Sequence, residues 1–219
     1  THGFDHSLTS NGHKTSNSTL TGLLLTLSML DQTPLADNDF TILSVDPGTI
    51  FTGYAIIKAD YQSLKMTEAK AWTVDASGLI DDTGWDSELY GNRFARIKQQ
   101  GYKFHSYLRM YDPLYVVCES PFYNPRRPNA YGALLEVVFT LRETLYRWDR
   151  WKMFHQIDPA TAKKSIGVAG NSGDKSLVKQ KLLSLDEFKN VGIEDFDEHS
   201  ADALLIAKCL FDRIKASEV

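Results

Sequence analysis

The stretch Thr41-Ile42-Leu43-Ser44-Val45-Asp46-Pro47-Gly48-Thr49 is an apolar run of strand length that ends on a carboxylate and breaks at a Pro-Gly turn signal. Downstream, residues 51–59 and 65–74 alternate or run β-branched and aromatic, which predicts a meander of three antiparallel strands. Helical spacing returns over residues 88–110. Residues 114–118 form a short, wholly apolar run of the kind that makes a central parallel strand, and it too ends on a carboxylate, Glu119. Residues 129–150 read as a long helix, 152–157 as a strand, 175–185 as a helix and 199–215 as the closing helix. The expected architecture is therefore α/β: a five-stranded mixed sheet, three antiparallel strands then two parallel ones, flanked by helices. Acids stand at the ends of its first and fourth strands.

Upstream the composition changes. Residues 1–39 are rich in Ser, Thr, Asn and Gly with little charge, and are expected to form an N-terminal arm or tail, partly flexible, ahead of a folded domain at 40–219. The apolar stretch at residues 20–30 is interrupted by Thr, Gly and Ser and is shorter than the ~20 residues of a membrane-spanning helix. No basic stretch precedes it and no small-residue cleavage site follows, so the expectation is an intracellular protein, cytoplasmic or nucleoid-associated, without a membrane partner. Cys118 and Cys209 lie far apart in apolar runs and are expected to be reduced core thiols.

The net charge of −4 argues against a nucleic-acid partner, since Lys and Arg supply much of such affinity. Its distribution argues the other way. Residues 119–182 hold eleven Lys and Arg against six Asp and Glu, a local balance of +5. An acidic metal site within a locally basic surface accommodates both numbers.

Asp46 reads as a carboxylate presented at a strand end, with Gly48 permitting the tight turn; taken alone, the stronger reading is an Asp that ends the strand and caps its own turn. Glu119 occupies the matching place on the other strand. His199 and Asp202 are three apart and share a helix face, and the run around them, Ala201, Ala203, Leu204, Leu205, Ile206 and Ala207, is apolar enough to bury the helix. Charge on such a helix is costly unless a cation meets it. Three carboxylates and a histidine suit oxygen-rich Mg²⁺ coordination, two ions per site, with Mn²⁺ as a substitute. Two such ions activate water and stabilise a leaving oxygen in phosphodiester hydrolysis.

Asp46-Pro47-Gly48-Thr49 with Thr52-Gly53-Tyr54-Ala55, the Cys118-Glu119 strand end, and His199-Ser200-Ala201-Asp202-Ala203-Leu204 together resemble the blocks of RuvC-type Holliday-junction resolvases, in the family's order from residue 41 onward. The resemblance implies an RNase H-like fold, with residues 40–219 as the nuclease domain, and a crossover junction endodeoxyribonuclease of DNA recombination and repair. Asp46, Glu119, His199 and Asp202 would be its catalytic and metal-binding quartet. It matches Phe122 to an aromatic that stacks on opened bases, the alternative being a core aromatic. It also matches Lys163, Lys164 and Lys175 to lysines near the DNA backbone, the alternative being a solvated loop. Arg126 and Arg127 join this set, as does Asn171, whose surroundings read as a helix N-terminus able to offer N–H groups to a phosphate.

The helix at 129–150 carries more apolar surface than one sheet face needs: Tyr131, Leu134, Leu135, Val138, Phe139, Leu141, Leu145, Tyr146 and Trp148. The resemblance implies a homodimer through it, presenting two sites to a four-way junction; the alternative is coverage by the N-terminal segment. Departures from the family's pattern are residues 1–39 and the Pro- and Arg-rich run Phe122-Tyr123-Asn124-Pro125-Arg126-Arg127-Pro128-Asn129. Competing readings keep the fold but act on flaps or RNA–DNA hybrids, or make the chain a non-catalytic junction-binding protein. The Asp46 loop also resembles the phosphate loop of actin-like ATPases and sugar kinases, but those need a second such half.

Overall fold

Parity along the central strands decides where the acids go. In a computed structural model describing residues 38–79, 85–123, 125, 128–191, 193 and 196–217, strand β1 (Asp39–Asp46) is followed by β2 (Phe51–Asp60) and β3 (Met66–Asp75). Next come α1 (Trp85–Tyr90), α2 (Asn92–Tyr111), β4 (Tyr115–Glu119), α3 (Pro128–Trp148) and β5 (Phe154–Ile157). Helices α4 (Pro159–Ser165), α5 (Lys175–Ser184), α6 (Asp186–Asn190) and α7 (Glu198–Ser217) complete the chain. The sheet order is β3-β2-β1-β4-β5, antiparallel across the first three strands and parallel from β1 to β4 and β4 to β5, as the sequence predicts.

Alternate residues of a strand face opposite sides. Leu43 and Val45 of β1 join Val116 and Cys118 of β4 in the core beneath α2 and α3, with Phe104, Leu108, Leu141 and Leu145. Ile42 and Val117 join the opposite core, beneath α7, with Ala203, Ala207 and Phe211. Ser44, one step from Val45, is fully buried on the α7 side and donates to the Ala203 carbonyl at 2.6 Å. The next residues of that parity are Asp46 and Glu119. Because Val45 pairs with Cys118, the two carboxylates emerge side by side on the α7 face.

The helix read at 88–110 is in fact two. Gly91 has φ +84°, a left-handed turn between α1 and α2. The fifth strand begins at Phe154 rather than 152, because the Lys152 N–H is turned back onto the Asp149 carbonyl. Helices α4 and α6, of seven and five residues, are too short to show a periodicity. Both cysteines are free and buried. Among the described residues no helix is long and apolar enough to cross a membrane. The expected arm falls on residues outside the described set, apart from Asn38, just ahead of β1, and Asp39, its first residue, and so do Arg126 and Arg127.

Candidate active site

The strand ends, the start of α7 and the α4–α5 segment enclose a cavity of about 550 Å³. Asp46, Glu119, Phe122, Lys163, Asn171, Lys175, His199 and Asp202 all line it, so eight of the expected site residues converge. Lys164 does not; it is exposed on α4.

Three features seat α7. Asp197 caps its N-terminus, accepting from the Ser200 N–H at 2.9 Å, and also accepts from the Thr73 hydroxyl of β3 at 2.6 Å. Gly53 of β2 admits the helix: a Cβ there would lie 2.0 Å from the His199 carbonyl oxygen. The exposed Phe51 ring stacks on the His199 imidazole, centroids 5.7 Å apart and planes 23° apart. His199 Nδ1 then lies 3.3 Å from Asp46 Oδ2.

The opposite wall is basic. Lys163 donates to the Ser172 carbonyl at 2.7 Å, tying α4 to the loop before α5. Asp174 caps α5 by accepting from the Leu177 N–H, which places Lys175 at the first helical position. Its ammonium reaches Asp202 Oδ2 at 3.2 Å and Glu198 Oε2 at 3.4 Å. Asp158 also lines the cavity, but its carboxylate is engaged as the cap of α4 through the Thr161 N–H at 2.8 Å.

Negative charge exceeds what these lysines offset. Burial lifts the Asp46 carboxyl above its ordinary range and Asp202 adds to this, while the His199 hydrogen bond and Lys175 pull the other way. Burial pushes Glu119 up to about 8, the charges of Asp46 and Asp202 add, and Lys163 and Lys175 only partly offset them. The hydrogen bond to Asp46 raises His199. As placed, no group of three or more His, Cys, Asp and Glu among the described residues encloses a metal ion. By donor chemistry and unmet charge, however, the set fits a hard divalent cation.

The Glu119 environment makes stability pH-dependent. In the unfolded chain this carboxyl loses its proton near 4.5, whereas in the folded state it keeps it to about 8. The folded state therefore binds more protons between these values, so unfolding free energy falls as pH rises through that window. At ~1.4 kcal/mol per pKa unit, reduced because Glu119 is only part-buried, the loss is on the order of 3 kcal/mol. Thermal melts in EDTA at pH 5 and pH 8 should show a smaller drop for Glu119→Gln than for the parent. Equal drops in both proteins would refute this.

Arg96, Gln100, Asp197, Thr73 and Phe51 brace or border this site and were not singled out by sequence reasoning. Their partners lie tens of residues away, or their residue types are common on any surface. Only Asp197 carried a local signal, an acid just ahead of a helix.

No protein-family model matches this chain, and no curated protein matches it. Among solved structures it is similar to Thermus thermophilus RuvC, with a TM-score of 0.58 at 16% identity, covering 81% of this chain and 97% of that one. It is equally similar to T. thermophilus RuvC in complex with a Holliday junction substrate, with a TM-score of 0.58 at 15% identity and the same coverage, 81% and 97%. The strand order, the carboxylates at the ends of β1 and β4 and this likeness give the chain the RNase H-like fold in the form found in RuvC.

Proposed function

We propose that this chain is a metal-dependent endonuclease that resolves four-way DNA junctions by paired phosphodiester hydrolysis, acting as a homodimer on intracellular DNA. The observation that carries the reading is the convergence of Asp46, Glu119, His199 and Asp202 in one cavity with Lys163 and Lys175 on the facing wall. Asp46, Glu119 and Asp202 would hold Mg²⁺, two ions per site with Mn²⁺ as substitute, and His199 would complete the set or orient the attacking water. Bound Mg²⁺ supplies Lewis acidity at the scissile phosphate and lowers the pKa of a coordinated water. The water oxygen bonds to phosphorus as the bond to the 3′-oxygen breaks; that oxygen takes a proton, leaving a 3′-hydroxyl and a 5′-phosphate. Lys163 and Lys175 offset the phosphate charge, and Phe122, exposed at the cavity mouth, offers a ring to an unstacked base.

The dimer reading is supported by α3. Val137, Val138, Leu141 and Leu145 are buried against the sheet, while Leu135, Phe139 and Tyr146 face outward. Leu135 and Phe139 line, with Phe94 and Ile97 of α2, an apolar groove of about 590 Å³.

The test is cleavage of an immobile four-way junction against matched duplex, flap and RNA–DNA hybrid, with Mg²⁺ or EDTA, alongside sedimentation of the free protein. Paired nicks confined to the junction, absent in EDTA, are expected from a dimer. Cutting of flaps or hybrids instead would retain the nuclease and remove the junction assignment. Binding without cutting in any metal would overturn the enzymatic reading.

A further inference from the structure

The turn that carries Asp46 is held from outside the cavity by one helix. Gln100 of α2 is 1% exposed, and its Nε2 donates to the Gly48 carbonyl at 2.9 Å. The Thr52 hydroxyl donates to the same oxygen at 3.1 Å. One turn earlier on α2, Arg96 Nε donates to the Thr49 carbonyl at 3.1 Å. The turn has no slack of its own, since a Cβ on Gly48 would sit 2.0 Å from the Phe51 carbonyl oxygen. Two successive carbonyls beyond Asp46 are thus fastened to α2.

Gln100 is an unfavourable choice for folding alone. Its Oε1 is buried with no partner among the described residues, and a buried acceptor left unpaired lowers stability. A Leu or Met would fill the same space without that cost. What the amide contributes is the bond to Gly48. We infer that Gln100 and Arg96 are positioning residues, which hold the Asp46 turn rigid so that the carboxylate meets a divalent cation without reordering the loop. Supporting groups around metal ligands commonly change metal affinity by about 10–100-fold.

This rests on the nuclease reading above. Gln100→Met keeps the volume and removes the donor. Mn²⁺ binding to the DNA-free protein, followed by electron paramagnetic resonance, should weaken about tenfold in this variant, and the Mg²⁺ concentration for half-maximal junction cleavage should rise in parallel. Its Tm without metal should equal or exceed the parent's, which separates positioning from a merely structural role, where Tm and activity fall together. Arg96→Met should act in the same direction. Parent-like Mn²⁺ affinity in Gln100→Met would overturn the inference and leave the nuclease reading intact. A parent that binds no Mn²⁺ would overturn both, and the parent arm alone reveals that case.

Discussion

Asp46→Asn is expected to lose Mg²⁺-dependent junction cleavage by about 10³-fold or more, while binding the junction in Ca²⁺ as tightly as the parent. Asp46 is tied to the other members of the site: its Oδ2 lies 3.3 Å from His199 Nδ1, and its charge helps to raise the Glu119 carboxyl. The amide keeps the shape and removes the charge. Metal catalysis is worth several kcal/mol of transition-state stabilisation, and each ~1.4 kcal/mol is tenfold in rate. The same change relieves a buried carboxylate, so Tm in EDTA should rise while the increment on adding Mg²⁺ shrinks. Single-turnover cleavage, junction binding and melts with and without Mg²⁺ check each part. Retained cleavage would remove Asp46 from the metal set.

Gly53→Ala is expected to cost about 100-fold in cleavage although Gly53 touches no substrate. Its new methyl would lie 2.0 Å from the His199 carbonyl oxygen and 3.1 Å from the Ser200 nitrogen. The listener to that clash is backbone, which cannot rotate away, so the start of α7 must shift and carry His199 and Asp202 with it. Misplacement of reacting groups by ~1 Å costs on the order of 10²-fold. Overpacking should also lower stability by about 1–3 kcal/mol. Gly132→Ala is the control: a Cβ there meets nothing within 4 Å, and its position within α3 favours Ala by ~0.5–1 kcal/mol. Melting curves and single-turnover rates of the two variants distinguish the cases. Parent-like cleavage in Gly53→Ala would show that α7 tolerates the shift.

Much of the site was legible because its signals are local. A carboxylate closing an apolar strand stands out in Asp46 and Glu119, and a three-residue spacing on an apolar helix stands out in His199 and Asp202. The lysines were legible only through motif resemblance. Structure then separates them: Lys163 and Lys175 line the cavity, whereas Lys164, adjacent to Lys163 on α4, points elsewhere on the surface. Neighbouring helical positions are about 100° apart, and nothing in the pair Lys163-Lys164 says which side faces the site.

By itself the sequence determined the order and type of the central elements and the placing of acids at two strand ends, because periods of 2 and 3.6 and the lengths of apolar runs are properties of the local chain. Tertiary structure alone decided the register that sets Val45 beside Cys118, and hence Asp46 beside Glu119. It also decided the approach of α7 over Gly53 and the fastening of the Asp46 turn by Arg96 and Gln100. These depend on close packing between segments 47 to 146 residues apart, where a fit of tenths of an ångström selects one arrangement and no pattern along the chain records it.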